Sequence, residues 1–160
     1  MYLEAEETGL TFVGAPMEVV RTTDTKYLDQ ARSQLPDYVA KTLAANMVYG
    51  GRYDPPGVFG AIYCASDEDT AWDEIAARCR REGIPGIPPV MGLLRLLIKD
   101  GQYADLTDDD TVALWEFESE SLVADDPTDA QKAHCHHVGM SVRPVADLLL
   151  APSAQAGGQN

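Results

Sequence analysis

The sequence has 160 residues, of which 45% are hydrophobic and 24% charged, and this is the composition of an ordinary globular protein. Its net charge of −14 argues against a broad nucleic-acid interface, because phosphate contacts require clustered lysine and arginine. The acidic N-terminus, MYLEAEETGL, lacks the basic and then apolar order of a signal peptide, and no apolar run approaches membrane-spanning length. We therefore expect a cytoplasmic protein that contacts neither a membrane nor nucleic acid directly.

The first half of the chain predicts a strand, a helix, a stiff loop and a second strand. Residues 17–22 (MEVVRT) read as a strand, and residues 37–47 read as a helix that begins after Pro36. The next segment, GGRYDPPG at residues 50–57, combines glycines that permit positive φ with prolines that fix φ. An arginine on such a loop is suited to holding an anion, although a surface turn with an incidental arginine is the simpler interpretation. Residues 58–65 (VFGAIYCA) are a short apolar run typical of a buried strand.

The clearest local signal is SDEDTAWDEIAARCRREG, residues 66–83. Ser66 and Asp69 have the spacing of a capping box, acidic residues fill the first turn, arginines fill the last turn, and Gly83 follows. The pattern predicts a helix whose apolar side consists of Trp72, Ile75, Ala76 and Cys79. By periodicity alone, Glu74 lies away from this side and is a surface residue.

The second half of the chain predicts further short elements. These are strands at residues 91–99 and 102–107 around an Asp-Gly turn, a capped helix start within 107–117, a helix at 128–139 and a strand at 145–151. Because short strands mix with helices without regular alternation, we predict one α+β domain over residues 1–160, with small mixed sheets and surrounding helices.

Two segments invite a metal-site interpretation. The string AHCHH places His134 and His137 three residues apart, but no second Cys or His pair lies at zinc-finger spacing, so structural or surface histidines are favoured. The acidic run 108–110 lacks the glycine and the distal glutamate of a calcium loop and is better read as a helix start. Three widely spaced cysteines, an odd number, fit reduced thiols. We therefore predict no metal site.

One block of 25 residues, GGRYDPPGVFGAIYCASDEDTAWDE, together with the later APSA, resembles the core of the RES-domain proteins. These are the toxin halves of bacterial RES/Xre toxin–antitoxin pairs. By this resemblance Arg52, Tyr63, Glu74 and Ser153 match the family's arginine, strand tyrosine, helix glutamate and serine, and QYADLT and VVR match further segments. Family members usually carry another strand after the glycine pair that follows the serine. Since the sequence stops at Asn160, two interpretations stay open: the sequence is a shortened form of a longer chain, or this edge strand is missing.

The resemblance implies a fold related to ADP-ribosyltransferases and NAD as the substrate. Arg52 would bind the pyrophosphate bidentately, and Tyr63 would offer a flat face to nicotinamide. Glu74 would stabilise the positive charge that builds on the ribose as the glycosidic bond breaks. Further candidates for the same pocket are Ser153 as a hydrogen-bond donor, and Arg21 and Tyr53, for which a strand-end charge and a packed aromatic are the alternatives.

The implied activity is cleavage of the nicotinamide–ribose bond, with water or inorganic phosphate accepting ADP-ribose. Two alternatives stay open at this point: transfer of ADP-ribose to a protein, and a non-catalytic RES-like domain that only binds a partner. The resemblance also implies a cognate antitoxin with an Xre-type helix-turn-helix domain, through which any DNA contact would occur. Either a homodimer or a hetero-oligomer with that antitoxin is compatible with the sequence.

Overall fold

Short strands and helices follow one another irregularly along residues 8–153, the part of the chain that the computed structural model describes. The strands are β1 (Leu10–Phe12), β2 (Met17–Asp24), β3 (Met91–Ile98), β4 (Gln102–Asp105) and β5 (Leu148–Leu150). The helices are α1 (Leu28–Ser33), α2 (Leu35–Tyr49), α3 (Glu68–Arg81), α4 (Asp109–Leu114), α5 (Ser119–Val123) and α6 (Asp129–Val142). The predicted α+β class is confirmed. None of the helices within these residues has the length and apolarity needed to span a bilayer.

One compact unit comprises residues 8–17, 52–54 and 98–153. Its sheet has the order β1–β4–β5, with β1 antiparallel and β5 parallel to β4, so the sheet is mixed as predicted. Because β4 is paired on both sides, its central residue Ala104 is fully buried. The core around it contains the buried residues Leu10, Tyr53, Leu106, Val112, Phe117, Leu122, Cys135, Val138 and Val142.

A second compact unit comprises residues 18–51 and 55–97. Strands β2 and β3 form its two-stranded sheet, and α1, α2 and α3 belong to it. Helix α2 has a proline in its first turn, where a missing N–H costs little, and is followed by Gly50 at φ 71°. Ala31, Tyr38 and Leu94 form a small core with Leu28, Val39 and Leu96 packed against it.

Helix α3 confirms the predicted helix but not its predicted cap. The N-cap is Asp67, whose Oδ1 accepts from the Thr70 amide at 2.8 Å, so the capping box expected from Ser66 and Asp69 is wrong by one residue. These hydrogen bonds from Thr70 lower the pKa of Asp67 below its ordinary value. At the other end, Gly83 takes φ 71° and its amide donates to Arg80, while the next amide donates to Cys79; this is a Schellman motif.

The side of α3 that is buried is also shifted from the prediction. Ala71, Ala77 and Cys79 are buried, whereas the other predicted stripe residues are only half-buried: Trp72, Ile75 and Ala76. The small alanines, rather than the tryptophan, therefore lie where α3 packs most closely.

The strand predicted at residues 58–65 is wrong. Only Ala65 pairs with a strand, through a single bridge to Val20, and the rest of the segment is irregular. The reason is that the segment lies against α2. A Cβ on Gly60 would stand 2.0 Å from the Leu43 carbonyl oxygen, and the Asn46 side-chain amide donates to the Ala61 carbonyl. Phe59 is buried in this arrangement, so the apolar content of the segment reflects packing on a helix rather than strand pairing.

The later elements follow the predictions with one difference in pairing. β3 and β4 flank the Asp-Gly step at 100–101, yet β3 pairs with β2 whereas β4 pairs with β1 and β5, so this step is not a hairpin turn. Asp108 caps α4 by accepting from the Thr111 amide at 3.0 Å, which confirms the acidic run as a helix start. Thr128 and Gln131 form a capping box at α6. The last strand is shorter than predicted, at Leu148–Leu150.

Candidate functional site

The GGRYDPPG loop is shaped by its glycines, as expected. Gly50 at φ 71° ends α2, with its amide donating to Asn46 at 2.7 Å, and Gly57 at φ 80° donates to the Met47 carbonyl at 2.7 Å. A residue with a Cβ is strained at such φ values, so glycine suits both positions. Within the loop, residues 52–54 belong to the first unit and the residues on either side belong to the second.

The half-buried Arg52 guanidinium holds the C-terminal end of α5. Its Nη1 donates to the Leu122 carbonyl at 3.2 Å and its Nη2 to the Ala124 carbonyl at 2.5 Å. The last carbonyls of a helix have no partner within the helix and carry partial negative charge, so a cation is favoured there. Arg52 therefore has a structural role that its sequence context did not suggest.

The Arg52 guanidinium also lies beside the thiol of Cys135. That side chain is fully buried on α6, and its Sγ donates to the Ser121 carbonyl of α5 at 3.3 Å. Burial raises the pKa of Cys135, and the positive charge of Arg52 offsets part of this increase. At neutral pH Cys135 is thus a thiol that packs and donates, rather than a thiolate nucleophile.

The two residues after Arg52 are buried. Tyr53 is 8% exposed and belongs to the core of the first unit, which is the environment of a packed aromatic. Asp54 is fully buried, and sequence reasoning missed it. In the sequence, an aspartate between an aromatic residue and two prolines gives little indication that it is buried. Acidic side chains are almost never fully buried unless they are paired.

Close backbone contact fixes this loop against α6. A Cβ built on Gly139 would lie 1.8 Å from the Tyr53 carbonyl oxygen and 2.8 Å from its carbonyl carbon. Only glycine can occupy that helix position without displacing the backbone next to Arg52. This requirement is a packing constraint and could not be read from the helical pattern of residues 128–139.

Tyr63 and Arg21, both in the second unit, are joined directly. Arg21 Nη1 donates to the Tyr63 carbonyl at 2.7 Å, and its Nε donates to the Tyr38 hydroxyl at 3.2 Å. Tyr38 in turn donates to Thr23 at 3.4 Å, so the arginine is fixed by a network that sequence reasoning missed. Tyr63 as a whole is 36% exposed, so it is not a core residue.

Glu74 lies in the middle of α3 and is half-buried. The position is more enclosed than the surface location that periodicity predicts. Its helix is capped by Asp67 at its start and ends in the Schellman motif.

The family model for the RES domain matches residues 18–160 of the chain. The chain belongs to the RES-domain family. The matched range covers Arg21, Arg52, Tyr53, Tyr63 and Glu74, and it confirms the family that the sequence resembles. No curated protein and no solved structure shows significant similarity to the chain.

Ser153 of the RES domain follows β5 in the first unit and is half-buried. The strand itself pairs with β4, and its Leu150 carbonyl accepts from the Leu106 amide at 2.7 Å. Ser153 is therefore three residues beyond an anchored strand. The predictions about a further strand after Ser153 concern residues that lie outside the described part of the chain and stay untested.

The histidines of the AHCHH segment have structural contacts within the RES domain. His134 Nε2 accepts from the Glu118 amide at 2.9 Å, and the rings of His134 and His137 stand edge-on to Phe117, with centroids 6.1 and 6.3 Å away. Between residues 8 and 153 there is no cluster of three or more His, Cys, Asp or Glu side chains that could hold a metal ion.

A depression of about 400 Å³ in the first unit does not suit an anionic dinucleotide. Its lining consists of Glu118, Ser119, Glu120, Ser121 and Gln131. Two carboxylates and no cation would repel a pyrophosphate. We therefore base the candidate site on the residues that match the family pattern and not on this depression.

Proposed function

We propose that this RES domain is an enzyme that cleaves the nicotinamide–ribose bond of NAD and passes ADP-ribose to water or inorganic phosphate. The observation that carries the proposal is the family match over residues 18–160, combined with Arg52, Tyr63 and Glu74 at the positions of the family pattern. In this proposal the domain is the toxin of a toxin–antitoxin pair, and depletion of NAD is how it arrests growth. NAD is the substrate, and the proposed reaction uses no metal.

Arg52 would bind the NAD pyrophosphate. A guanidinium carries five N–H donors, so its two bonds to the carbonyls of Leu122 and Ala124 are compatible with further bonds to phosphate oxygens. Those carbonyl bonds support the role because they fix where the positive charge lies before a ligand arrives. The overall charge of −14 repels an anionic substrate, so a fixed local cation is needed.

Tyr63 would stack on the nicotinamide ring, and Arg21 would support it. The Arg21 contact to the Tyr63 carbonyl holds the tyrosine backbone, while the ring itself is partly exposed. A flat aromatic face favours a planar pyridinium through offset stacking and the attraction of a cation to the ring face. Substrate positioning of this kind lowers the barrier by fixing the reacting bond in one orientation.

Glu74 would act on the ribose. When the bond between C1′ and the nicotinamide nitrogen breaks, its electron pair leaves with nicotinamide and neutralises the pyridinium, and the ribose becomes oxocarbenium-like. A carboxylate hydrogen-bonded to a ribose hydroxyl stabilises that positive charge. The acceptor oxygen then bonds to C1′ and loses its proton to solvent. Ser153 would contribute a hydrogen bond to the substrate.

The reaction products show which acceptor receives ADP-ribose. The protein would be incubated with NAD, with and without inorganic phosphate, and the products identified by mass spectrometry. Free ADP-ribose indicates hydrolysis, a phosphorylated ADP-ribose indicates phosphorolysis, and an ADP-ribosylated protein indicates transfer. Unchanged NAD with a correctly folded protein would contradict the proposal and favour a binding domain.

Variants of Arg52 need a stability control, because the side chain also holds α5. Arg52→Lys keeps the positive charge but loses the planar, two-pronged geometry. We expect a raised KM for NAD with a smaller change in kcat, measured at a temperature where the variant remains folded. A KM equal to that of the wild type would remove Arg52 from the proposed substrate contacts.

The proposal extends to a protein partner. An antitoxin with an Xre-type helix-turn-helix domain would bind this acidic domain and provide the DNA contact that the charge of −14 disfavours for the toxin alone. Expression of the domain alone would arrest growth, and Glu74→Gln would relieve the arrest. Arrest that persists in the Glu74→Gln variant would contradict NAD cleavage as its cause.

A further inference from the structure

Helix α5 is only five residues long, and side chains hold it at both ends. At its start, the Glu118 amide donates to His134 Nε2 at 2.9 Å. At its end, the carbonyls of Leu122 and Ala124 accept from Arg52. A single helical turn leaves most of its N–H and C=O groups without helical partners, so these contacts hold it in place together with the buried Leu122 side chain and the bond of the Cys135 thiol to the Ser121 carbonyl.

The contact to Glu118 fixes the protonation state of His134. A backbone N–H can only donate, so Nε2 must carry its lone pair and any ring proton must lie on Nδ1. The protonated imidazolium has N–H groups at both nitrogens and cannot accept this bond. The bond between the Glu118 amide and His134 therefore exists only while His134 is neutral.

The surroundings of His134 combine acidic groups with a strained turn. Glu116, two residues before the contact, has φ 56°, which is unfavourable for a residue with a side chain. The Glu118 carboxylate accepts from the Ser121 hydroxyl at 3.1 Å, and the Phe117 ring stands edge-on to the imidazole. The charged and titratable groups on the adjoining segments are Glu116, Glu118, Glu120, Asp129, Lys132, His136 and His137.

We propose that neutral His134 is a positioning residue for Arg52 and acts through α5. Protonation of His134 removes the acceptor of the Glu118 amide, and the short helix then loses the bond that joins its start to α6. Because the same turn supplies the carbonyls that hold Arg52, its displacement moves or loosens the guanidinium. The consequence for substrate rests on the proposed function: the affinity for NAD falls as His134 becomes protonated. Histidine is the side chain whose charge changes between about pH 5 and pH 8, so this is the range to measure.

The test follows the Glu118 amide and the Arg52 Nε–H of the full chain by ¹⁵N NMR between about pH 5 and pH 8. We expect both signals to titrate together with the His134 ring. His134→Gln supplies a side-chain oxygen that accepts the Glu118 bond and does not titrate, so the pH dependence of both signals should disappear. His137→Gln makes the same change one helical turn away and should leave the titration as in the wild type.

The same variants are compared in their affinity for NAD. In the wild type and in His137→Gln, Kd should rise about fivefold to tenfold on acidification, at the lower end of the range typical of coupling between two sites in one protein. In His134→Gln it should change less than twofold. The inference is overturned if the Arg52 signal does not change with pH as His134 is protonated. It is also overturned if the signal changes equally in His134→Gln. Coupled NMR titrations without NAD binding at any pH would support the positioning of Arg52 and contradict the proposed function instead.

Discussion

The contact between Gly139 and the backbone of Tyr53 gives a sharp test of how the Arg52 loop is held. The Cβ of an alanine at this position would lie 1.8 Å from the Tyr53 carbonyl oxygen. Favourable separations between non-bonded atoms are about 3.5 Å, so helix and loop would have to part by more than about 1 Å. Both partners are main chain, and neither can relieve the clash by changing rotamer.

Two effects of Gly139→Ala oppose each other, and their magnitudes decide the result. Alanine is favoured over glycine within a helix by about 0.5–1 kcal/mol. Overpacking costs about 1–3 kcal/mol when side chains can adjust, and more when they cannot. We expect a net destabilisation of about 2–3 kcal/mol, which lowers Tm by about 6–9 °C for a chain of this size.

The assay is thermal unfolding followed by circular dichroism, with Gly14→Ala as the matched control. A Cβ on Gly14 has no heavy atom within 4 Å, and its φ is not positive. That variant should match the wild type or be slightly more stable, because alanine restricts the unfolded chain. If Gly139→Ala unfolds at the wild-type temperature, the close approach of α6 to the Arg52 loop is refuted.

Three further predictions concern local structure. Gly60→Ala places a Cβ 2.0 Å from the Leu43 carbonyl oxygen and should lower Tm by several degrees in the same assay, and an unchanged Tm would contradict the packing of this segment on α2. Thr128→Ala removes the capping box of α6 and should lower the free energy of unfolding, measured with urea, by about 1 kcal/mol. Thr128→Asn should retain most of this stabilisation. Because folding lowers the pKa of Asp67, the cap contributes fully to the stability of the fold when the pH is above the pKa of Asp67 in the unfolded chain. This contribution is lost as the pH falls through the pKa of Asp67 in the folded chain. Protection of the Thr70 amide against hydrogen exchange should therefore decrease only below the ordinary value of 3.8, and a loss near neutral pH would contradict this.

The helix that carries Glu74 could be predicted because its signals are local. Acidic residues at the start, arginines at the end and Gly83 define it within a single stretch of sequence. The cap was wrong by one residue because Ser66 and Asp67 are both good capping residues, and only the structure shows which one accepts from Thr70. The buried side of the helix depends on its neighbours, which the pattern within the helix does not contain.

The segment carrying Tyr63 could not be predicted, because its apolar residues have the same composition whether they pair in a sheet or pack on a helix. The deciding contacts, Gly60 against Leu43 and Asn46 to Ala61, join residues 15 or more positions apart. A short apolar run gives no indication of which of these partners it will meet.

The structural role of Arg52 also depends on distant residues. Its sequence context allows either an anion-binding arginine or an incidental arginine on a surface turn, whereas its partners Leu122 and Ala124 are 70 and 72 positions away. The burial of Asp54 and the His134 contact to Glu118 could likewise not be predicted from the neighbouring sequence. Family resemblance predicts which residues carry the chemistry, and long-range packing determines how each is held.

The most direct measurement of the central claim is the rate of NAD cleavage by Glu74→Gln beside Asp73→Asn. Both variants replace a carboxylate with an amide of the same shape on adjacent positions of α3, and Asp73 is exposed. If Glu74 stabilises the charge on the ribose, kcat should fall about 10² to 10³-fold in Glu74→Gln with little change in KM. Asp73→Asn should remain within about twofold of the wild type. Equal rates in the wild type and both variants would contradict the claim that the Glu74 carboxylate acts in NAD cleavage.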